Sequence, residues 1–255
     1  MAPRSLWNGT ISFGAVAVPV KLYSATESKT VHFHEVHLED GAKIEHRPFC
    51  SKEDEQVPKD EVVRGFEVRS GRYVVLDKEE IDAAGGTRGR IIDVERFVPL
   101  DQIDPVFFAK SYFLGAQDDG ADAFRLLHDA LEETGRAAIG RFTFHKREYV
   151  VAIRTYDKVL ALHTMRFADE LVTRKDLDAP RAGTAPKKKE LDLAEKLVES
   201  LSEDFKPGRL HDEYREAVLA AIKDKAKGKE IELPEDDGED EDAGDLSAAL
   251  EASLA

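Results

Sequence analysis

The stretch LWNGTISFGAVAVPVKLYSAT, residues 6–26, decides how the chain is read. Ile11, Phe13 and Ala15 fall on one parity; Val16, Val18, Val20 and Leu22 fall on the other. Apolar residues that recur every second position mark a strand with one buried face. The change of parity at Gly14–Ala15 predicts a bulge or bend in a β-segment. The segment carries a single lysine, Lys21, and so reads as wall rather than as a charged site.

Working outward, more strands are predicted at 31–38, 42–47, 65–69, 72–76, 91–98 and 107–114, with a turn at Glu39-Asp40-Gly41. A short helix is predicted from Asp77 to Gly85-Gly86. The firmest helix is 121–134, where Phe124, Leu127 and Leu131 form one stripe, Asp118 or Asp119 caps the start and Gly135 stops the end. Three strands at 138–145, 149–155 and 159–167 follow, joined by turns at Lys146-Arg147 and Tyr156-Asp157-Lys158, which predicts an antiparallel meander. Residues 178–189 (DAPRAGTAPKKK) read as a linker. Helices are then predicted at 190–205, with Leu191, Ala194, Leu197, Val198, Leu201 and Phe205 on one side, and at 210–225, with Tyr214, Val218, Ala221 and Ile222 on one side. A short amphipathic helix is expected at 246–254. No internal repeat is visible. The expected architecture is mixed but mainly β: an antiparallel β-barrel over residues 1–177, then the linker, a helical region at 190–232 and an acidic tail at 233–255.

Composition narrows the function. No apolar run approaches the roughly 20 residues of a membrane span, and no apolar leader opens the chain. The expected location is cytoplasmic. A single cysteine, Cys50, excludes an internal disulfide and a cysteine-ligated zinc finger. The net charge is −15, yet residues 233–255 hold nine acidic residues and no basic one. Without them the chain has 37 basic against 43 acidic residues, a net of −6. Residues 137–175 reverse the balance, with eight Lys or Arg against four Asp or Glu. Binding of nucleic acid through bulk charge is excluded; binding through a local patch is not.

A search for chemistry finds no phosphate loop, because Gly85-Gly-Thr-Arg-Gly-Arg90 lacks the spacing and the lysine. No serine elbow is present. His32, His34, His37, His46 and Cys50 lie near one another, but at no known metal-ligand spacing, so no metal or cofactor is expected and a half-exposed polar segment explains them equally well. The basic residues remain. Arg141, Lys146 and Arg147 fall on the meander, Lys21 on the first β-segment, and Lys43, Arg47, Lys52, Arg64, Arg69 and Arg72 in the long excursion before Asp77, which also holds ten acidic residues.

Longer blocks carry a resemblance. LWNGTISFGAVAVPVKLYSAT, RYVVLDKEEI, VERFVPLDQIDPVFFAKSYFLGA and VESLSEDFKPGRLHDEYREAVLAAIKDKAKGKEI, spread from Arg4 to Ile231, are similar to bacterial Ku proteins. The resemblance implies a β-barrel with a bridge, here residues 31–72, and two subunits closing a ring around a broken duplex. It implies no catalytic centre, binding to double-stranded DNA ends, a homodimer, and an ATP-dependent DNA ligase of non-homologous end joining as partner. The basic residues above would then face DNA, and His211, Tyr214, Arg215, Val218 and Ile222 would face the ligase. A compact chain of this length has a radius of gyration of roughly 18 Å, so encirclement calls for two subunits. Some family members carry paired cysteines in the bridge; PFCSKEDEQVP has one. The rival readings are a ligase adaptor that binds little DNA, and a hydrolase or metalloenzyme built on the His32/His34/His37 cluster.

Overall fold

The computed structural model describes residues 4–84, 89–117, 119–145, 147–172 and 187–229. The chain divides into two compact units, Met1–Ser28 with His34–Val172, and Lys29–Phe33 with Thr173–Ala255.

The opening stretch is a hairpin and not one bent segment. β1 (Trp7–Phe13) and β2 (Val16–Ser24) pair antiparallel, with Phe13 opposite Val16. Gly14 has φ +57° and takes the first place of the two-residue loop, where a hairpin of type II′ needs a positive φ. The parity switches because the chain turns back. Ile11 faces Val18 and Trp7 faces Leu22, so both strands send the same face inward.

The remaining strands are β3 (Arg64–Arg69), β4 (Arg72–Leu76), β5 (Ile91–Pro99), β6 (Phe108–Ala116), β7 (Arg136–Phe144), β8 (Arg147–Tyr156) and β9 (Val159–Met165). Seven of the nine close a barrel in the order β1-β2-β6-β9-β8-β7-β5. The meander at β7–β9 is as the alternation predicts. One seam departs from the antiparallel expectation: β5 returns to β1 in parallel, with Thr10, Ile11 and Ser12 beside Ile91, Ile92 and Asp93. On the other side of β5 the register with β7 shifts between Val94 and Arg96. Gly140 lies there because a Cβ at that position would come within 2.3 Å of the Asp93 carbonyl oxygen.

Ile11, Val18, Val20, Leu22, Leu114, Val151, Ile153, Leu160 and Leu162 fill the barrel and are fully buried. Each contributes about 1.5–3 kcal/mol by leaving water. Aromatic rings pack toward one end: Trp7 sits edge-on to Phe142 at 4.9 Å, Phe142 stacks on Phe144 at 5.4 Å, and Phe144 meets Tyr112 edge-on at 6.2 Å. The other end is covered by α2 (Ala121–Thr134), which buries Phe124, Leu127 and Leu131 against β2, β6, β7 and β8. Its N-cap is Gly120, with no side-chain cap, in place of the expected aspartate. A Cβ on Gly120 would lie 2.8 Å from the Pro19 carbonyl oxygen, so close approach to β2 selects glycine here; Asp118 lies outside the described residues. Gly135 ends the helix at φ +60°, as expected.

One polar chain is built into the barrel wall. Arg154 Nε–H donates to His163 Nε2 at 3.0 Å, which leaves the ring proton on Nδ1 to donate to Ser111 Oγ at 2.9 Å. Burial, with Arg154 beside it, pushes the His163 pKa down to about 4. The imidazole is therefore neutral and its two nitrogens have fixed roles.

The excursion between β2 and β5 behaves differently. The expected strands at 31–38 and 42–47 do not form. Alternation without a neighbouring strand has nothing to pair with, and only isolated bridges join Val36 to Lys43 and Phe49 to Gln56. In their place the chain makes one loop twice. His37 N–H donates to the Ala42 carbonyl and Gly41 N–H to the His37 carbonyl; 13 residues later Cys50 N–H donates to Glu55 and Asp54 N–H to Cys50. Gly41 and Asp54, the equivalent positions, both have positive φ. β3 and β4 then pair only with one another. α1 (Lys78–Ala84) follows, opened by a reciprocal cap in which Glu80 N–H donates to Asp77 Oδ1 and Asp77 N–H to Glu80 Oε2.

In the second unit α3 (Lys188–Ser200) and α4 (Glu213–Ala226) replace the longer predicted helices. α3 stops before Leu201 and Phe205, where the Ser202 N–H bonds the Glu199 carbonyl and the Ser202 hydroxyl takes the Val198 carbonyl in its place. α4 starts at Glu213, not at residue 210, because Asp212 caps the Arg215 N–H at 2.9 Å. The rest of the predicted 178–189 linker, up to 186, and the terminal helix lie outside the described residues.

Candidate nucleic-acid interface

Every residue of β3 and β4 is exposed. The two-stranded ribbon places Phe66 beside Val74 and Glu67 beside Tyr73, so neighbouring pairs point to opposite faces and both faces carry large apolar side chains. Phe66 is 69% exposed and Tyr73 60%. At the tip, around Gly71 with its positive φ, Arg69 and Arg72 are register partners. Arg64 stands at the far end of the ribbon opposite Leu76. Arg64, Arg69 and Arg72 make no ion pair among the described residues, so their guanidinium groups keep all their donors for another molecule.

Before the ribbon, Lys43 and Arg47 line one open concavity of about 500 Å³ with His46 and Lys59, closed on its other side by Gln56 and Val57. Arg47 also reaches Glu45, at 3.5 Å. Lys59 was not singled out by the sequence, where Pro58 and Asp60 hide it. The Val57 N–H bond to the Pro48 carbonyl is what folds it back toward Lys43. Lys52 is exposed in the second loop, away from this group.

On the barrel the predicted residues separate. Lys21 points outward from β2, between the inward Val20 and Leu22. Arg147 begins β8 at the end from which the arm departs. It lies over the Tyr149 ring at 5.5 Å and shares a hollow with Lys110, His145 and Arg166. Arg166 donates to the backbone carbonyls of Val106 and Phe108, which leaves its charge uncancelled. Lys110 and Arg166 join the set on the structure's account: their positions at the start of β6 and past the end of β9 are far apart in sequence and adjacent in the barrel. Lys146 lies outside the described residues. The opposite end, under α2, exposes Asp122, Asp129, Glu132 and Glu133. Cations thus gather at the arm end, with Glu170 in the same hollow, and carboxylates at the helix end, with Arg125 and Arg136 among them.

Arg141 differs from the rest. Its guanidinium donates to Glu95 at 2.8 Å and to Glu148 at 2.6 Å. Those bonds, with Glu148 first, raise the Arg141 pKa, and the bond from Arg141 lowers that of Glu95. Arg96 also meets Glu95, at 3.1 Å, so two guanidinium groups and two carboxylates cancel and leave no surplus positive charge there for phosphate.

In the second unit no residue of α4 is buried. Tyr214 is 77% exposed and Ile222 42%. Val218 and Arg215 are half-buried and His211 is exposed, so residues of the predicted stripe differ in exposure while sharing one side of the helix. The histidines of the arm are parted as well: His37 pairs with Asp40 at 2.9 Å and His46 with Glu35 at 2.6 Å. Among the described residues no three His, Cys, Asp or Glu side chains gather as a metal site. No helix among them is long and apolar enough to cross a membrane.

A closed β-barrel interrupted by a solvent-exposed arm, with cations on the arm and at the barrel end beside it, defines the Ku type of β-barrel protein, and residues 12–193 match the family model described as the Ku70/Ku80 beta-barrel domain. Proteins called non-homologous end joining protein Ku are similar along nearly the whole chain. That of Anaeromyxobacter sp. (strain K) is 43% identical over 253 residues, covering 99% of this chain and 85% of its own. That of Heliobacterium modesticaldum is 39% identical, covering 100% and 92%, and that of Bacillus subtilis 33%, covering 98% and 81%. The chain belongs to the Ku family.

Proposed function

We propose that this protein binds the ends of double-stranded DNA as a ring-shaped homodimer in non-homologous end joining, and recruits an ATP-dependent DNA ligase. The observation that carries the reading is the arm: a ribbon apolar on both faces, exposed along its whole length and tipped with two arginines that make no ion pair among the described residues. Exposed apolar surface of this kind marks an interface. A second copy supplies it under two-fold symmetry, each arm lying on the other subunit. Arg64, Arg69, Arg72, Lys43, Arg47, Lys52, Lys21, Lys146 and Arg147 then face the duplex, joined by Lys59, Lys110 and Arg166. Arg141 serves as a structural brace. Contacts to phosphate carry no sequence information, so binding is blind to sequence, and enclosure selects ends.

The chain's acidic excess does not oppose this, because a ring needs positive potential only on its inner wall. In the second unit the exposed Tyr214 and Ile222, with His211, Arg215 and Val218 beside them, form the surface offered to the ligase. The deciding experiment compares a linear duplex with the same sequence as a covalently closed circle, across a salt series. Binding to the linear form, absent from the circle and weakening with salt, supports the ring. Equal binding to both rejects threading. No binding to either leaves a ligase adaptor, which ligase pull-down through α4 would then show.

A further inference from the structure

The end of the barrel away from the arm holds a groove of about 440 Å³ between α2 and the barrel rim. Phe13 and Val16 beside the β1–β2 loop, Phe97 on β5, Arg136 at the start of β7, and Ala123, Leu126 and Ala130 on α2 line it. Leu126 is 70% exposed, and Val16 and Phe97 are 41% and 39% exposed, so three large apolar side chains stand open to solvent around one hollow. On a helix of 3.6 residues per turn, Asp122, Asp129 and Glu133 lie together on the solvent flank of the Ala123–Leu126–Ala130 stripe. All three are exposed. Asp122 and Glu133 make no ion pair among the described residues, while Asp129 is met by His128 at 3.0 Å. The opposite flank of the stripe is the buried Leu127 and Leu131. The result is an apolar floor with carboxylates along the α2 side and the exposed Arg136 at the barrel rim.

We propose that this groove docks a short amphipathic helix of a partner protein whose apolar face is flanked, on the side toward α2, by lysine or arginine. The stripe from Ala123 to Thr134 runs about 16 Å along α2 at 1.5 Å per residue, three turns, which matches anchors at i, i+4 and i+7 of an incoming helix. The rim charge selects among occupants. Residues 233–255 of this chain carry nine acidic side chains and no basic one, so its own tail is repelled. A second copy docked face to face about a two-fold axis would set Asp122, Asp129 and Glu133 against themselves. DNA phosphate is repelled in the same way. An amphipathic segment with its cations toward α2 satisfies both the floor and the carboxylate edge. The site is separate from the DNA reading and stands at the other end of the barrel, so both ligands can be held at once.

The test uses the full-length chain and a labelled synthetic peptide of about twelve residues, three turns, with leucines at i, i+4 and i+7 and lysines along one flank. A scrambled peptide of identical composition is the control. Fluorescence anisotropy should show binding of the amphipathic peptide over the scramble. Leu126→Asp should weaken it by about tenfold or more, as expected at the centre of a docking site. Because that change adds negative charge, diffuse attraction of a cationic peptide would instead strengthen, so the two explanations move in opposite directions. Ala130→Arg, which fills the groove on an exposed helix face, should also abolish binding. Asp122→Asn with Glu133→Gln should weaken it a few-fold and flatten its salt dependence. Unchanged melting and unchanged DNA-end binding confirm that the variants fold. Equal binding of the scramble, or undiminished binding to Leu126→Asp, overturns the proposal. So does a change in sedimentation of Leu126→Asp without peptide, which would give the groove to a second copy. Binding that emerges only when Leu246, Leu250 and Leu254 are replaced by Asp would give it to the tail and overturn the proposal too.

Discussion

β9, VLALHTM, and β4, RYVVL, are built from much the same residues and meet opposite fates. From Leu160 to Thr164 β9 is buried, even at His163 and Thr164, while every residue of β4 is exposed. The difference lies in neighbours and not in composition. β9 is hydrogen-bonded on both edges, by β6 and β8, and belongs to a closed ring. Among the described residues β4 has one partner, β3, and no sheet or helix behind it. A two-stranded ribbon alone is marginal in water. Apolar side chains in the barrel serve the subunit's own core; in the arm they await another surface.

The comparison breaks most visibly through stability. Leu162→Ala should lower the unfolding free energy by about 2–5 kcal/mol, whereas Val74→Ala should change barrel melting by less than about 0.5 kcal/mol and instead raise the concentration at which the chain dimerises. Thermal melting and analytical ultracentrifugation read the two effects. If Val74→Ala melts like Leu162→Ala, the arm has a covering within its own subunit and the contrast fails.

The barrel wall should also make stability depend on pH through His163. Its folded pKa is about 4 against an ordinary 6.5, so the unfolded chain binds more protons between those values. The stability from this site is complete above pH 6.5 and is lost as the pH falls toward 4, by roughly 3 kcal/mol at 1.36 kcal/mol per unit. His163→Gln, which can keep both hydrogen bonds and cannot charge, should flatten that slope in denaturant titrations followed across the window.

Two further changes sharpen the contrast at the level of binding. Arg69→Glu with Arg72→Glu should weaken binding to duplex ends by about tenfold to a hundredfold and reduce the magnitude of the salt slope by nearly one for each phosphate no longer neutralised. Arg141→Gln should shift end binding by less than about 0.5 kcal/mol, because its charge is already spent on Glu95 and Glu148. A large drop in affinity with Arg141→Gln in an electrophoretic mobility assay would return that residue to the DNA wall.

The barrel was legible because its alternation and its structure share a cause: one face inward, one out. The spacing of Phe124, Leu127 and Leu131 placed α2 for the same reason. The errors fall where a second segment decides the outcome. A reversed parity at Gly14–Ala15 fits a bulge as well as a hairpin, and only the register of Phe13 with Val16 distinguishes them. Residues 31–38 alternate and have no strand to pair with. The repeated loop was hidden because HLEDGA and CSKEDE share a pattern of backbone hydrogen bonds and almost no side chains. Charge was least legible. Nothing in the local pattern tells Arg141, whose partners Glu95 and Glu148 meet it across the sheet, from Arg147, whose neighbour is a tyrosine ring.

The parallel seam between β1 and β5 has a consequence for how the chain acquires its shape. The hairpin of β1 and β2 and the meander of β7 to β9 are contacts between sequence neighbours, which form on the microsecond scale. The seam joins Thr10 to Ile91, with the whole arm looped out between β2 and β5, so ring closure is a late event that both early pieces await. The penalty of that loop grows only as the logarithm of its length, about 0.6 kcal/mol for each doubling. Lengthening the arm therefore slows assembly while hardly weakening the finished barrel, so the span of the arm is a dimension the fold leaves open to selection.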